Sequence, residues 1–151
     1  MIQSFRRIKI DPNDKLYSEI IRTLANGICQ RCHKYFGFSR LQCAHIIGRG
    51  HHGTRFALKP KRNAVALCAG CHSWFDTHKI QALIFDEEKR VLSSTDESFT
   101  WLVKTLFYTW GELYKLYALG HHQTNKYGVL ERQEINKQLK AYLAGIKNEE
   151  K

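Results

Sequence analysis

Two cysteine pairs, Cys29-Gln-Arg-Cys32 and Cys68-Ala-Gly-Cys71, constrain this chain more than any other feature. Two residues between thiols let both sulfurs reach one ion from a single tight turn. Two such turns complete a tetrahedral four-thiolate zinc site with Zn–S of about 2.3 Å. Any fold must therefore bring residue 29 beside residue 71. The gap of 35 residues between Cys32 and Cys68 exceeds the roughly 15–20 of small zinc modules, so the insert must form a substructure of its own. Four sulfurs leave no open position on the metal, so the zinc is expected to be structural. The fifth cysteine, Cys43, reads as a small buried strand residue.

Disulfides are the competing use of cysteine, and two features argue against them. Five thiols cannot all pair within one chain. The opening MIQSFRRIKIDPND lacks the apolar run of a secretory signal, so the protein is expected in the reducing cytoplasm, where thiols ligate metals. No run of about 18 apolar residues is present, so no membrane partner is expected.

Charge points to a polyanionic partner. The chain carries a net +10, and residues 28–79 hold nine Lys/Arg against one acid, Asp76. The same segment holds all five cysteines and six of the eight histidines, so chemistry is expected there.

The local pattern predicts an α+β chain of one domain, 1–151. Leu16, Ile20, Ile21 and Leu24 predict a helix over 14–26, capped by Asp14 and stopped by Gly27. Residues 41–47 read as a strand and 48–53 as a loop. A second strand falls at either 55–58 or 64–67, and a helix follows over 70–79. Large apolar residues from Trp101 to Tyr117 predict one helix over 98–119, with Thr95, Asp96 or Thr100 as cap. A polar connection leads to a second tail helix over 130–147. The zinc-stapled core thus spans 28–79 and a helical extension 96–147.

Within the core, Cys43-Ala-His45-Ile-Ile-Gly-Arg49, Thr54-Arg55-Phe56, Asn63 and Leu67-Cys-Ala-Gly-Cys-His72 resemble the HNH endonuclease signature, in the variant of phage and prophage nucleases of the NinG (Rap) recombination type. The ending His72-x-x-x-Asp76 is also similar to that of a phage HNH nuclease. Nuclease colicins share such a core without the zinc. Their central Asn precedes the first helix ligand by nine positions, and a second ligand follows four later. Asn63, His72 and Asp76 stand at those spacings, and residues four apart share a helix face.

The resemblance implies a ββα-metal (His-Me finger) core that hydrolyses phosphodiester bonds in double-stranded or branched DNA. His72 and Asp76 would hold a catalytic Mg²⁺ or Mn²⁺ acting as a Lewis acid. His45 would take the proton of the attacking water, since a histidine near pKa 6.5 can accept one at neutral pH. Asn63 would hold the loop and the His45 ring. Arg49 and Arg55, with Lys61 and Arg62, would contact DNA. The products would carry 5′-phosphate and 3′-hydroxyl ends. A homodimer through the tail helices would suit branched DNA.

One departure stands out. HNH sites often carry a strand-side acid just before the base or three positions before it. Here those positions are Ala44 and Gln42. Gln42 could offer a neutral amide oxygen, water could fill the place, or His51 or His52 could substitute. The alternative reading is a zinc-dependent DNA-binding module with an inactive HNH site.

Overall fold

In a computed structural model, which describes residues 10–59, 61–79, 83–85, 91–94, 97–122 and 126–149, the first helix, α1, runs over Pro12–Leu24. The Asp11 carboxylate accepts the Asn13 amide at 2.8 Å, and Pro12 occupies a first-turn position whose N–H would be unpaired anyway. The cap is thus Asp11, not Asp14. The earlier start leaves Asp14 inside the helix with its side chain free for another partner. Asn26 and Gly27, at φ 50° and 74°, turn the chain out in the left-handed region. Gly27 is also needed for space: a Cβ there would lie 2.7 Å from Tyr35 Cε2.

Two strands, β1 (Gln42–His45) and β2 (Ala64–Leu67), pair antiparallel, Gln42 opposite Leu67 and His45 opposite Ala64. The second strand is therefore the later of the two alternatives, and residues 55–58 form a turn and loop. Every β2 residue is buried, which explains its unbroken apolar run. The outer edge of β2 is covered by the first cysteine turn: the Gln30 amide donates to Ala66 O at 3.0 Å, and Gln30 Oε1 accepts the Ala66 amide at 2.7 Å. Helix α2 (Ala69–Thr77) follows directly and buries Cys71 and Phe75. The core closes around Tyr17, Ile20, Leu67 and Phe75, all fully buried.

A second antiparallel pair, β3 (Leu83–Phe85) and β4 (Val91–Ser94), was not expected. Three or four residues are too few to display a period of two. Beyond it, the predicted single helix is two: α3 (Glu97–Thr105) and α4 (Trp110–His122). Phe107 takes a left-handed φ of 58° at the break. Thr109 and Glu112 then form a reciprocal capping box, with Thr109 N to Glu112 Oε2 at 2.9 Å and Glu112 N to Thr109 Oγ1 at 3.1 Å. Thr100 lies within α3; Thr95 and Asp96 lie outside the described residues.

Helix α5 (Val129–Glu149) packs along α1. Asn13 donates to Arg132 O at 3.0 Å and accepts from Asn136 Nδ2 at 2.9 Å, while Leu139 and Leu143 reach the core. Helix α4 lies on the short turn His52–Thr54, so closely that a Cβ on Gly120 would sit 2.8 Å from Thr54 Oγ1. Among the described residues, no helix is long and apolar enough to cross a membrane.

Candidate active site and metal centre

The four sulfurs of Cys29, Cys32, Cys68 and Cys71 lie within 4.8 Å of one another. A tetrahedral site with Zn–S of about 2.3 Å has sulfur–sulfur edges of about 3.8 Å, so the cluster is placed to bind a metal such as zinc. The turns hold the four sulfurs together. His33, at φ 57°, closes the first with its amide on Cys29 O at 2.9 Å. The Cys68 amide points at Cys29 Sγ from 3.3 Å, and Arg31 Nη1 at Cys71 Sγ from 3.7 Å. Burial pushes the Cys29 thiol up, but the backbone amides of Cys32, Cys68 and Arg31 outweigh it and bring the pKa down to about 7. The four-cysteine expectation thus rests on an assembled cluster.

A groove of about 740 Å³ runs along β1 between α1 and α2. His45, Gln42, Arg49, His72 and Asp76 all line it, so residues scattered over 35 positions meet at one place. The His45 ring packs 5.7 Å from that of Tyr17. Its Nε2 is buried without a hydrogen-bond partner among the described residues. Burial, and then the charge of Arg49, lower the His45 pKa to about 4, so the ring is neutral at pH 7 with a lone pair on hand.

On α2, His72 Nε2 lies 3.2 Å from Asp76 Oδ2. The other ring nitrogen, Nδ1, is 2.8 Å from Gln42 Oε1. An amide oxygen can only accept, so His72 donates from Nδ1 to Gln42, and its Nε2 faces the Asp76 carboxylate. Gln42 is thus bonded to His72 on the groove wall. Lys79 Nζ bonds His45 O at 2.8 Å and lies 3.4 Å from Asp76 Oδ1. His51 and His52 turn elsewhere: His51 stacks on His121 at 4.5 Å, and His52 is buried beside Tyr127.

Asn63 is fully buried and clasps Ile47, accepting its amide at 2.8 Å and donating to its carbonyl at 2.9 Å. The two ends of the 48–62 loop are thereby tied together next to His45. Tyr17 adds a second tie, donating to Ala57 O at 2.7 Å and accepting the Asn63 amide at 3.0 Å.

The expected DNA contacts divide. Arg49 is 63% exposed and overhangs the groove. Arg55 is held bidentate by Asp14, at 3.1 and 2.5 Å, and does not line the groove. Lys61 lies over the Tyr108 ring at 5.3 Å, and the Arg62 carbonyl accepts Tyr108 Oη at 2.7 Å; neither reaches the groove.

Sequence reasoning missed two residues that line the groove, Asp14 and Lys79, and Tyr17, whose ring packs on that of His45. Asp14 was read as a cap, although Asp11-Pro12 is the stronger signal. Tyr17 lies one position after Leu16 and shares a helix stripe with Asn13, Ile20 and Ile21, which periodicity could have shown. Lys79 gave no signal, because its bond to His45 O spans 34 positions. Comparisons of the chain with protein-family models, with curated proteins and with solved structures find no match.

Proposed function

We propose that the protein is a metal-dependent DNA endonuclease with a ββα-metal core, stapled by a structural zinc on the four cysteines. One observation carries the reading: His45, whose buried Nε2 has no hydrogen-bond partner among the described residues, lines the same groove as the His72–Asp76 pair.

His72 Nε2 and Asp76 Oδ2, 3.2 Å apart, would hold a divalent cation, the carboxylate supplying the oxygen that Mg²⁺ and Mn²⁺ favour. A bound cation would supply Lewis-acid stabilisation of charge on the leaving oxygen. His45 takes the proton of the attacking water at Nε2, and its low pKa keeps it unprotonated across the neutral range. Asn63 and Tyr17 hold the loop and ring in place. Arg49 offers a guanidinium fork to a phosphate. Lys15, Arg22, Arg49 and Lys79 line the groove against Asp14, Glu19 and Asp76, and the chain carries a net +10, a balance that favours a polyanion such as DNA.

The second reading, a DNA-binding module with an inactive site, draws on Lys79. Its ammonium already sits on Asp76 Oδ1, where it competes with a cation. Incubation of zinc-loaded protein with supercoiled plasmid and Mg²⁺ or Mn²⁺ separates the two. The nuclease reading expects nicked or linear product with ligatable 5′-phosphate and 3′-hydroxyl ends. Plasmid binding without cutting under either cation supports the module.

A further inference from the structure

The first cysteine turn carries an exposed aromatic face that neither the zinc site nor the core accounts for. Tyr35 is 77% and Phe38 43% exposed. The Arg22 guanidinium lies 4.2 Å from the centre of the Phe38 ring, and that of Arg40 lies 5.5 Å from Phe36. Arg22 also bonds the carbonyls of Ser18 and Phe38, at 3.2 and 3.4 Å, which fixes it in that pose.

Phe38 meets the groove through Arg22, and the neighbouring Phe36 and Arg40 meet it through Gln42. Arg22 lines the groove and stacks on Phe38. Gln42 lines both the groove and a neighbouring cleft of about 490 Å³ shared with Phe36 and Arg40. A polyanion leaving the groove past Gln42 therefore meets cations and ring faces together. Planar groups in a positive field are what single-stranded nucleic acid uses: phosphates follow the charge and unpaired bases stack on the rings. A blunt duplex keeps its bases inside and can offer these rings nothing.

We propose that the exposed face of the first cysteine turn, centred on Tyr35 and Phe38, binds unpaired bases of DNA next to the groove and biases the protein toward DNA with a single-stranded segment. The proposal rests on the nuclease reading for the groove's orientation, and the test is arranged so that the two can fail separately.

Fluorescence anisotropy without added Mg²⁺ or Mn²⁺ compares a labelled blunt duplex, the same duplex with a single-stranded tail, and the single strand alone. Zinc-loaded wild type is expected to bind the tailed duplex at least about tenfold tighter than the blunt one. Tyr35→Ala combined with Phe38→Ala is expected to abolish that preference while changing blunt-duplex affinity less than about threefold, since base stacking contributes about 5- to 100-fold per base. Tyr35→Ala alone, at a residue so exposed, guards against a folding defect, and Tyr35→Trp should keep the preference. Equal losses on tailed and blunt DNA, or an unchanged preference in the double variant, overturn the stacking face. If plasmid is cut by wild type but tails are not preferred, this inference alone fails. If no DNA is bound, both readings fail.

Discussion

The cysteine cluster lies against the outer edge of β2 and the groove along β1 of the same two-strand unit, and the two are built on opposite plans. In the cluster every sulfur faces another sulfur, a backbone amide or Arg31. In the groove a buried imidazole nitrogen is left without a partner among the described residues, while its neighbours Gln42, His72, Asp76 and Lys79 bond one another. A closed donor set suits a metal that holds the fold, and an open one suits chemistry. The difference predicts that damage to the first should unfold the protein and damage to the second should silence it.

The largest effect belongs to the cluster. Removing its metal with a strong chelator, or changing Cys71→Ser, is expected to collapse the melting transition, because structural zinc contributes about 10–16 kcal/mol of coupled folding free energy in small zinc domains. Circular dichroism melts check this; an unchanged melting temperature would remove the distinction at its root. Next comes the clasp. Asn63→Ala leaves the amide and carbonyl of Ile47 buried without partners, at a cost of about 2–5 kcal/mol read from urea unfolding. Unlike His45→Ala, it should lower stability and activity together.

A pH effect follows from His45. Its pKa falls from 6.5 to about 4 on folding, through burial first and the Arg49 charge second. Between those values the unfolded chain binds the proton and the native ring does not, so stability drops as pH falls from about 6.5 toward 4. From pH 6.5 to 5 the loss is about 2 kcal/mol for this residue. His45→Gln should flatten that part of the stability profile, and an unflattened profile would show that the ring is not desolvated. The smallest structural effect is expected at Gln42. Gln42→Ala should change stability by less than about 0.5 kcal/mol yet weaken Mn²⁺ binding about 10- to 100-fold, by releasing the His72 ring. Calorimetric titration of Mn²⁺ reads this directly; unchanged affinity would remove the positioning role.

The cluster was legible in the sequence and the groove only in part, for a physical reason. Two residues between thiols is a local rule, so Cys29, Cys32, Cys68 and Cys71 could be assigned from spacing. His72 and Asp76 obeyed another local rule, the four-residue repeat of a helix. The long-range contacts of α1 obeyed none. Asp14 meets Arg55 across 41 positions and Tyr17 meets Asn63 across 46, and such contacts leave no trace in periodicity. The break at Phe107 was written in the sequence as Thr109-x-x-Glu112, but the apolar repeat running through it hid the cap.

Single-turnover cleavage of supercoiled plasmid by zinc-loaded protein with saturating Mn²⁺, wild type against His45→Ala, bears most directly on the groove as a site of hydrolysis. The rate is expected to fall about 10²- to 10⁴-fold on loss of the general base, with the melting temperature and DNA affinity retained. Equal rates in the two proteins would contradict the assignment of His45, and with it the account of the groove.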